Sequence, residues 1–138
     1  MAFLKESCVT QFSKNSLAKL ETCDERLQRV FNEVVKHVDC SVLEGHRGKA
    51  EQDECCAKGL SKQAWPLSKH NATPSKAADV APYPIDWKNT MRFTLFAGFV
   101  LGTARSMGVE LRWGGDWNRN GNPSDENFLD MPHFELVD

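Results

Sequence analysis

Leu27, Val30, Phe31, Val34, Val35 and Val38 recur at intervals of three and four, which places them on one face of a helix. Thr22, followed three residues later by Glu25, reads as a capping box at its start. A weaker helical turn, Leu17 to Leu20, precedes it. Cys40 to Glu44 reads as a short strand ended by Gly45, and Lys49 to Lys58 as a more polar helix with Gly59 as its C-cap. Phe93, Phe96, Ala97, Val100, Leu101 and Ala104 share a face of a third helix, running from about Trp87 to Met107 and stopped by Gly108. Val109–Trp113 and His133–Val137 alternate as strands around a polar loop at 114–129.

The stretch 60–86 differs in kind. It holds four of the six prolines and few periodic apolar positions, so it reads as loop interrupted by a short strand near Asp79–Ala81. Loops of this length within a compact domain are usually functional or disordered. Helices come first and the short strands are scattered. The expected class is therefore α+β, a small sheet with flanking helices, and not a wound parallel sheet.

A chain of 138 residues suits one domain, expected here over 1–138. The composition is 41% hydrophobic with a net charge of −2, which argues against disorder and against an electrostatic nucleic-acid binder. Charge is uneven: residues 116–138 carry one basic and six acidic groups. That segment is a local anionic patch able to attract cations. Met1 to Gln11 lacks the charged and apolar regions of a secretory signal, and the apolar run Leu95–Ala104 is too short to span a bilayer. Synthesis in a cytoplasm without direct membrane insertion is the expectation. Five cysteines without a CxxC pair, Cys8, Cys23, Cys40, Cys55 and Cys56, read as reduced, mostly buried thiols.

Of four histidines, His37 ends the amphipathic helix and reads as a solvated terminal residue, while His46, His70 and His133 lie in or beside loops. A catalytic zinc site needs three N/O ligands and an open position. His70, Asp79 and His133 could supply two imidazoles and a carboxylate, with Asp130 as a base that is not a ligand. Spacing alone does not decide this, because such residues recur in most chains. No serine sits in a GxSxG setting and no cysteine in a visible catalytic motif, which disfavours a nucleophilic enzyme.

The ordered motifs narrow the choice. Glu44-Gly45-His46-Arg47 with Gln52, Gly59-Leu60-Ser61-Lys62, Ser68-Lys69-His70-Asn71, Pro74-Ser75, Ala78-Asp79-Val80, Pro82 to Trp87 and Asp130 to Leu136 together resemble the M15 metallopeptidases. The match is to the single-domain phage endolysins of L-alanyl-D-glutamate specificity, and it spans roughly 13–138. The resemblance implies a hedgehog/DD-peptidase-like fold with a zinc cleft on a small antiparallel sheet. It implies zinc on His70, Asp79 and His133, Asp130 as acid/base, and Arg47 holding substrate and developing charge, with Ser68 as a further substrate contact. One departure stands out: the wider family spaces its first histidine and aspartate by seven residues, whereas nine separate them here. Asp86 and Glu135 remain rivals for the roles of Asp79 and Asp130. Arg47 could instead be a surface residue, Ser68 a loop cap and His46 a packing neighbour, and Trp65, Trp87, Trp113 and Trp117 read as core or loop anchors.

The implied activity is hydrolysis of a stem-peptide amide in bacterial peptidoglycan, most simply L-alanyl-D-glutamate. D-alanyl-D-alanine cleavage by the same fold and a non-catalytic zinc-bearing wall-peptide binder are the alternatives. A monomer without a separate wall-binding domain is expected, made in a host cytoplasm and reaching the wall through a pore formed by another protein. Finally, Asp116, Asn118, Asn120 and Gly121 match positions 1, 3, 5 and 6 of an EF-hand-type loop. The match fails at position 12, Asn127, although Asp125 and Glu126 could close a shorter shell. A polar turn is the plain alternative. The resemblance favours regulatory Ca²⁺, since some phage lysins of this type carry a calcium-responsive loop here.

Overall fold

The computed structural model describes residues 9–138; Cys8 and most of the segment read for a signal lie outside them. Two helices come first, α1 (Lys14–Leu20) and α2 (Glu25–Val34). Strand β1 (Cys40–Glu44), helix α3 (Lys49–Ala57) and strand β2 (Ala77–Pro82) follow. Helix α4 (Thr90–Ser106) then leads into β3 (Leu111–Trp113) and β4 (His133–Leu136). The strands form one antiparallel sheet in the order β1-β2-β4-β3. The α+β expectation with a small antiparallel sheet holds.

The pleat divides the labour of the sheet. On β4, Phe134 and Leu136 enter the core while His133 and Glu135 take the opposite face, as alternate residues of a strand must. Phe134 meets Phe31 of α2 and Phe96 of α4 edge-on, with ring centroids 5.6 and 6.2 Å away. Ala78 and Val80 of β2 lie in the same core, joined by Leu27, Val30 and Val34 of α2. Both apolar helix faces read from the sequence thus cover one side of the sheet, leaving the other side for polar chemistry.

Several boundaries differ from the sequence reading. The cap of α2 is Asp24, whose side chain accepts from Arg26 N, and not Thr22. Thr22 is otherwise engaged: its hydroxyl donates to Lys19 O and accepts from His46 N. The α2 helix ends at Val34, short of Val38, and α4 starts at Thr90 with Asn89 as its cap, not at Trp87. Trp87 is exposed and stacks on Phe93 at 5.4 Å. Strand β2 is longer than Asp79–Ala81, and β3 begins at Leu111 and not Val109. Cys23 and Cys40 are buried free thiols, pushed up to about 11 and about 12 by burial, whereas Cys55 and Cys56 on α3 are only partly covered. Among the described residues no helix is long and apolar enough to cross a membrane.

Phe134 touches both helices from the central pair of strands and is fully buried. Phe134→Ala should cost about 3–5 kcal/mol of unfolding free energy in a denaturant titration, as large-to-small core changes do.

Candidate active site

Antiparallel pairing of β2 with β4 puts Asp79 directly opposite His133. The third group, His70, arrives from a single 3-10 turn at Lys69–Asn71, where Ser68 and Asn71 form a reciprocal capping box. Ser68 Oγ accepts from His70 N at 3.2 Å, so this serine fixes the turn carrying His70 while also lining the cavity beside it. His70 Nε2 lies 3.1 Å from Asp79 Oδ1 and 3.2 Å from His133 Nδ1. His133 Nδ1 is 3.3 Å from the same Asp79 oxygen. The three candidate ligand atoms lie within 4.8 Å of one another.

The outward nitrogens decide what the inward ones can be. His70 Nδ1 donates to the Gly45 carbonyl at 2.7 Å, and His133 Nε2 donates to Glu135 Oε1 at 2.8 Å. Both partners are pure acceptors, so both donating nitrogens carry hydrogen. In the neutral rings, His70 Nε2 and His133 Nδ1 therefore present lone pairs to each other and to a carboxylate oxygen. Three acceptors facing one another repel unless a cation sits among them. Two imidazoles and a carboxylate with one side open suit a divalent ion of zinc type.

Electrostatics agree. Burial would depress the His133 imidazolium, but its hydrogen bonds to Asp79 and Glu135 and the charges of Asp79 and Asp130 push it up to about 9. Burial would raise the Asp79 carboxyl, yet His70 and His133 hold it well below the usual range. Both shifts show that the cluster favours positive charge at its centre. Asp130 stands just beside it, with Oδ2 3.8 Å from His133 Nδ1. Burial first, and then the Asp79 charge, push Asp130 up to about 6 against the pull of His133, His70 and Arg47.

Around these groups runs a cavity of about 470 Å³, lined by Arg47, Ser68, His70, Asp130 and His133 together with Lys62, Arg112, Trp117 and Phe128. Arg47 is buried, not a surface residue. Its Nε meets Glu44 at 3.2 Å, Nη1 donates to Gln52 Oε1 at 3.0 Å, and Nη2 is 3.7 Å from the second oxygen of Asp79. Of the rival carboxylates, Asp86 is exposed and accepts from Lys88 N in the turn before α4. Glu135 faces the far nitrogen of His133 and is paired across the sheet with Arg112, whose Nη1 donates to it at 3.1 Å. Burial would raise Glu135, but His133 and Arg112 hold it below its ordinary value. His46 is exposed and outside the cluster.

Two supports lack any role in the sequence reading. Gln52 is fully buried and saturated: its oxygen accepts from Arg47 and Asn71, and its nitrogen donates to Ser61 Oγ and Gln63 O. Gly114 exchanges backbone hydrogen bonds with Asp130 and His133 at 2.8 Å, and a Cβ there would fall 2.1 Å from Asp130 O. A glycine directly after β3 marks a close backbone approach. Gln52 stands with the Arg47 motif in the sequence, but its place on a polar helix gives no sign that it is buried.

The loop at 116–126 folds its oxygens onto its own backbone. Asp116, nearly buried, accepts from Asn120 N at 3.3 Å and Gly121 N at 2.7 Å. Asn118 Oδ1 accepts from Asn120 N, Glu126 from Asn118 N, and Asp125 from the Asn120 side chain. The His70–Asp79–His133 group gathers metal-ligand atoms most closely among the described residues. Trp117 closes the cavity wall, its ring 5.2 Å from that of His133, whereas Trp113 is a core anchor donating to Met131 O.

Comparison with known proteins gives a consistent picture. Residues 8–137 match the family model described as phage L-alanyl-D-glutamate peptidase. The chain is 32% identical over 135 residues to the L-alanyl-D-glutamate peptidase of Escherichia phage T5, covering 92% of this chain and 98% of that protein. It resembles the crystal structure of the Serratia marcescens L-Ala D-Glu endopeptidase ChiX with a TM-score of 0.72 and 27% identity, over 96% of this chain and 94% of that one.

Removing the Glu135 carboxylate leaves the His133 tautomer unsupported. Glu135→Ala should weaken binding of a divalent ion about 10–100-fold, measured by competition with a chelator, while the fold persists.

Proposed function

The chain belongs to the phage L-alanyl-D-glutamate peptidase family, and from that membership we propose a zinc-dependent peptidase that cuts the L-alanyl-D-glutamate bond of the peptidoglycan stem peptide. The observation that carries this reading is the convergence of three mutually facing acceptors, His70, Asp79 and His133, beside a protonatable Asp130 in an open cavity. Zinc held by those three residues would polarise the scissile carbonyl and acidify water beside it. Asp130 takes the proton of the attacking water and returns it to the leaving amine; a carboxyl raised to about 6 is suited to both transfers near neutral pH. Arg47 holds Asp79 from behind and brings positive charge to the cavity, where negative charge develops on the carbonyl oxygen. Ser68 borders the substrate path. The protein acts on the wall after leaving the host cytoplasm through a membrane pore made by another protein.

Calcium is the second metal of this reading. Asp116 anchors the 116–126 loop, and the Trp117 carbonyl accepts from Arg112 Nε at 2.9 Å, tying that loop to Glu135 and so to His133. Calcium on Asp116, Asn118, Asn120, Asp125 and Glu126 would stiffen the wall next to Asp130. Calorimetry on zinc-loaded protein should give Ca²⁺ heat at millimolar concentration in the wild type, and none with Asp116→Ala. Absence of heat in the wild type would make the loop a plain turn.

Digestion of purified cell-wall sacculi tests the main proposal. Mass analysis should find new L-alanine C-termini and free D-glutamate amines, whereas released D-alanine would move the specificity to D-alanyl-D-alanine. Sacculi that are bound but uncut would make the protein a binding module. Asp130→Asn should retain zinc and fold while losing about 10²–10⁴-fold in turnover; loss of zinc in that variant would make Asp130 a ligand.

A further inference from the structure

Four cations border the cavity, and three of them are already engaged. Arg47 is shared among Glu44, Gln52 and Asp79. Arg112 is neutralised by Glu135 and donates to the Trp117 carbonyl. Lys69 Nζ donates to Leu136 O at 2.8 Å and lies 3.8 Å from Asp138. Lys62 is different. Its ammonium lies 5.1 Å above the Phe128 ring centroid, and among the described residues no carboxylate pairs with it. A cation over an aromatic face at an exposed position is weakly held, so a carboxylate can take it over.

The backbone that carries Lys62 is nonetheless fixed. Its two neighbours are pinned by the fully buried Gln52, whose Nε2 donates to Ser61 Oγ at 3.0 Å and to Gln63 O at 2.6 Å. Phe128 stacks on Trp117 with centroids 6.3 Å apart, and Trp117 lies 5.2 Å from His133. Lys62, Phe128, Trp117 and His133 therefore make one continuous wall, from an uncommitted ammonium to the candidate metal centre. A peptide lying along that wall with its scissile amide at His133 runs toward Lys62, whose flexible four-carbon stem lets the exposed ammonium swing back along the wall to meet it.

A glutamate beside the scissile bond carries a carboxylate that the reaction does not consume, and a charge entering a cavity needs a partner of opposite sign. Resting on the peptidase reading above, we propose that Lys62 binds this carboxylate and sets a preference for an acidic residue over its amidated counterpart. The role is one of specificity. Lys62 forms no part of the proton-transfer machinery.

Two synthetic stem peptides differing only in a glutamate carboxylate or its carboxamide test this on the zinc-loaded, full-length protein. The wild type should favour the carboxylate form about tenfold in kcat/KM, as one charge-assisted hydrogen bond implies. Lys62→Gln should bring the ratio near one, chiefly through KM for the carboxylate peptide, and Lys62→Arg should retain the preference. A wild type without preference, or a preference unchanged in Lys62→Gln, overturns the inference while leaving the peptidase reading intact. Cleavage of neither peptide by the wild type sinks both.

Discussion

The site depends on how two strands are registered. Asp79 and His133 are partners across the antiparallel β2–β4 pairing, so backbone hydrogen bonds that carry no chemistry hold a carboxylate and an imidazole side by side. A slip of one residue would turn each side chain to the opposite face and bury the ligands in the apolar core. Phe134 guards against that slip, because its place between Phe31 and Phe96 keeps His133 and Glu135 on the open face. The α2 and α4 helices thus stabilise the site without touching it.

Polar supports form a second layer around this register. The Gly45 carbonyl and Glu135 each take the hydrogen of one histidine, Arg47 bridges Asp79 and Glu44, and Arg112 holds Glu135. Every inward acceptor is thereby turned toward a common point at the expense of local repulsion, which a cation relieves. A low-dielectric setting strengthens this arrangement when it is complete and penalises it when a member is missing.

Much of this was legible in the sequence, for identifiable reasons. The periodic apolar residues of α2 and α4 revealed the covered face, and the ordered motifs from Arg47 to His133 named the residues that the fold gathers. What stayed hidden depended on contacts between distant segments. Glu135 was visible as a carboxylate, but its service to the far nitrogen of His133 follows from strand alternation combined with the Arg112 pairing. Gln52 sits in a helix without a clear apolar stripe, so nothing local marked it as the fully buried link between Arg47 and the 61–63 loop. Thr22 had the right spacing for a cap, yet tertiary partners claimed its hydroxyl.

Gly114 shows that Asp130 is located by an atom that is missing. The Asp130 carbonyl occupies the space where any other residue at 114 would carry its Cβ, 2.1 Å away. Grafting this centre onto another scaffold by copying His70, Asp79, Asp130 and His133 would therefore transfer the functional groups without the void that seats one of them. The portable unit includes the bare backbone at 114. An inventory of side chains, however complete, would describe this centre with one of its parts left out.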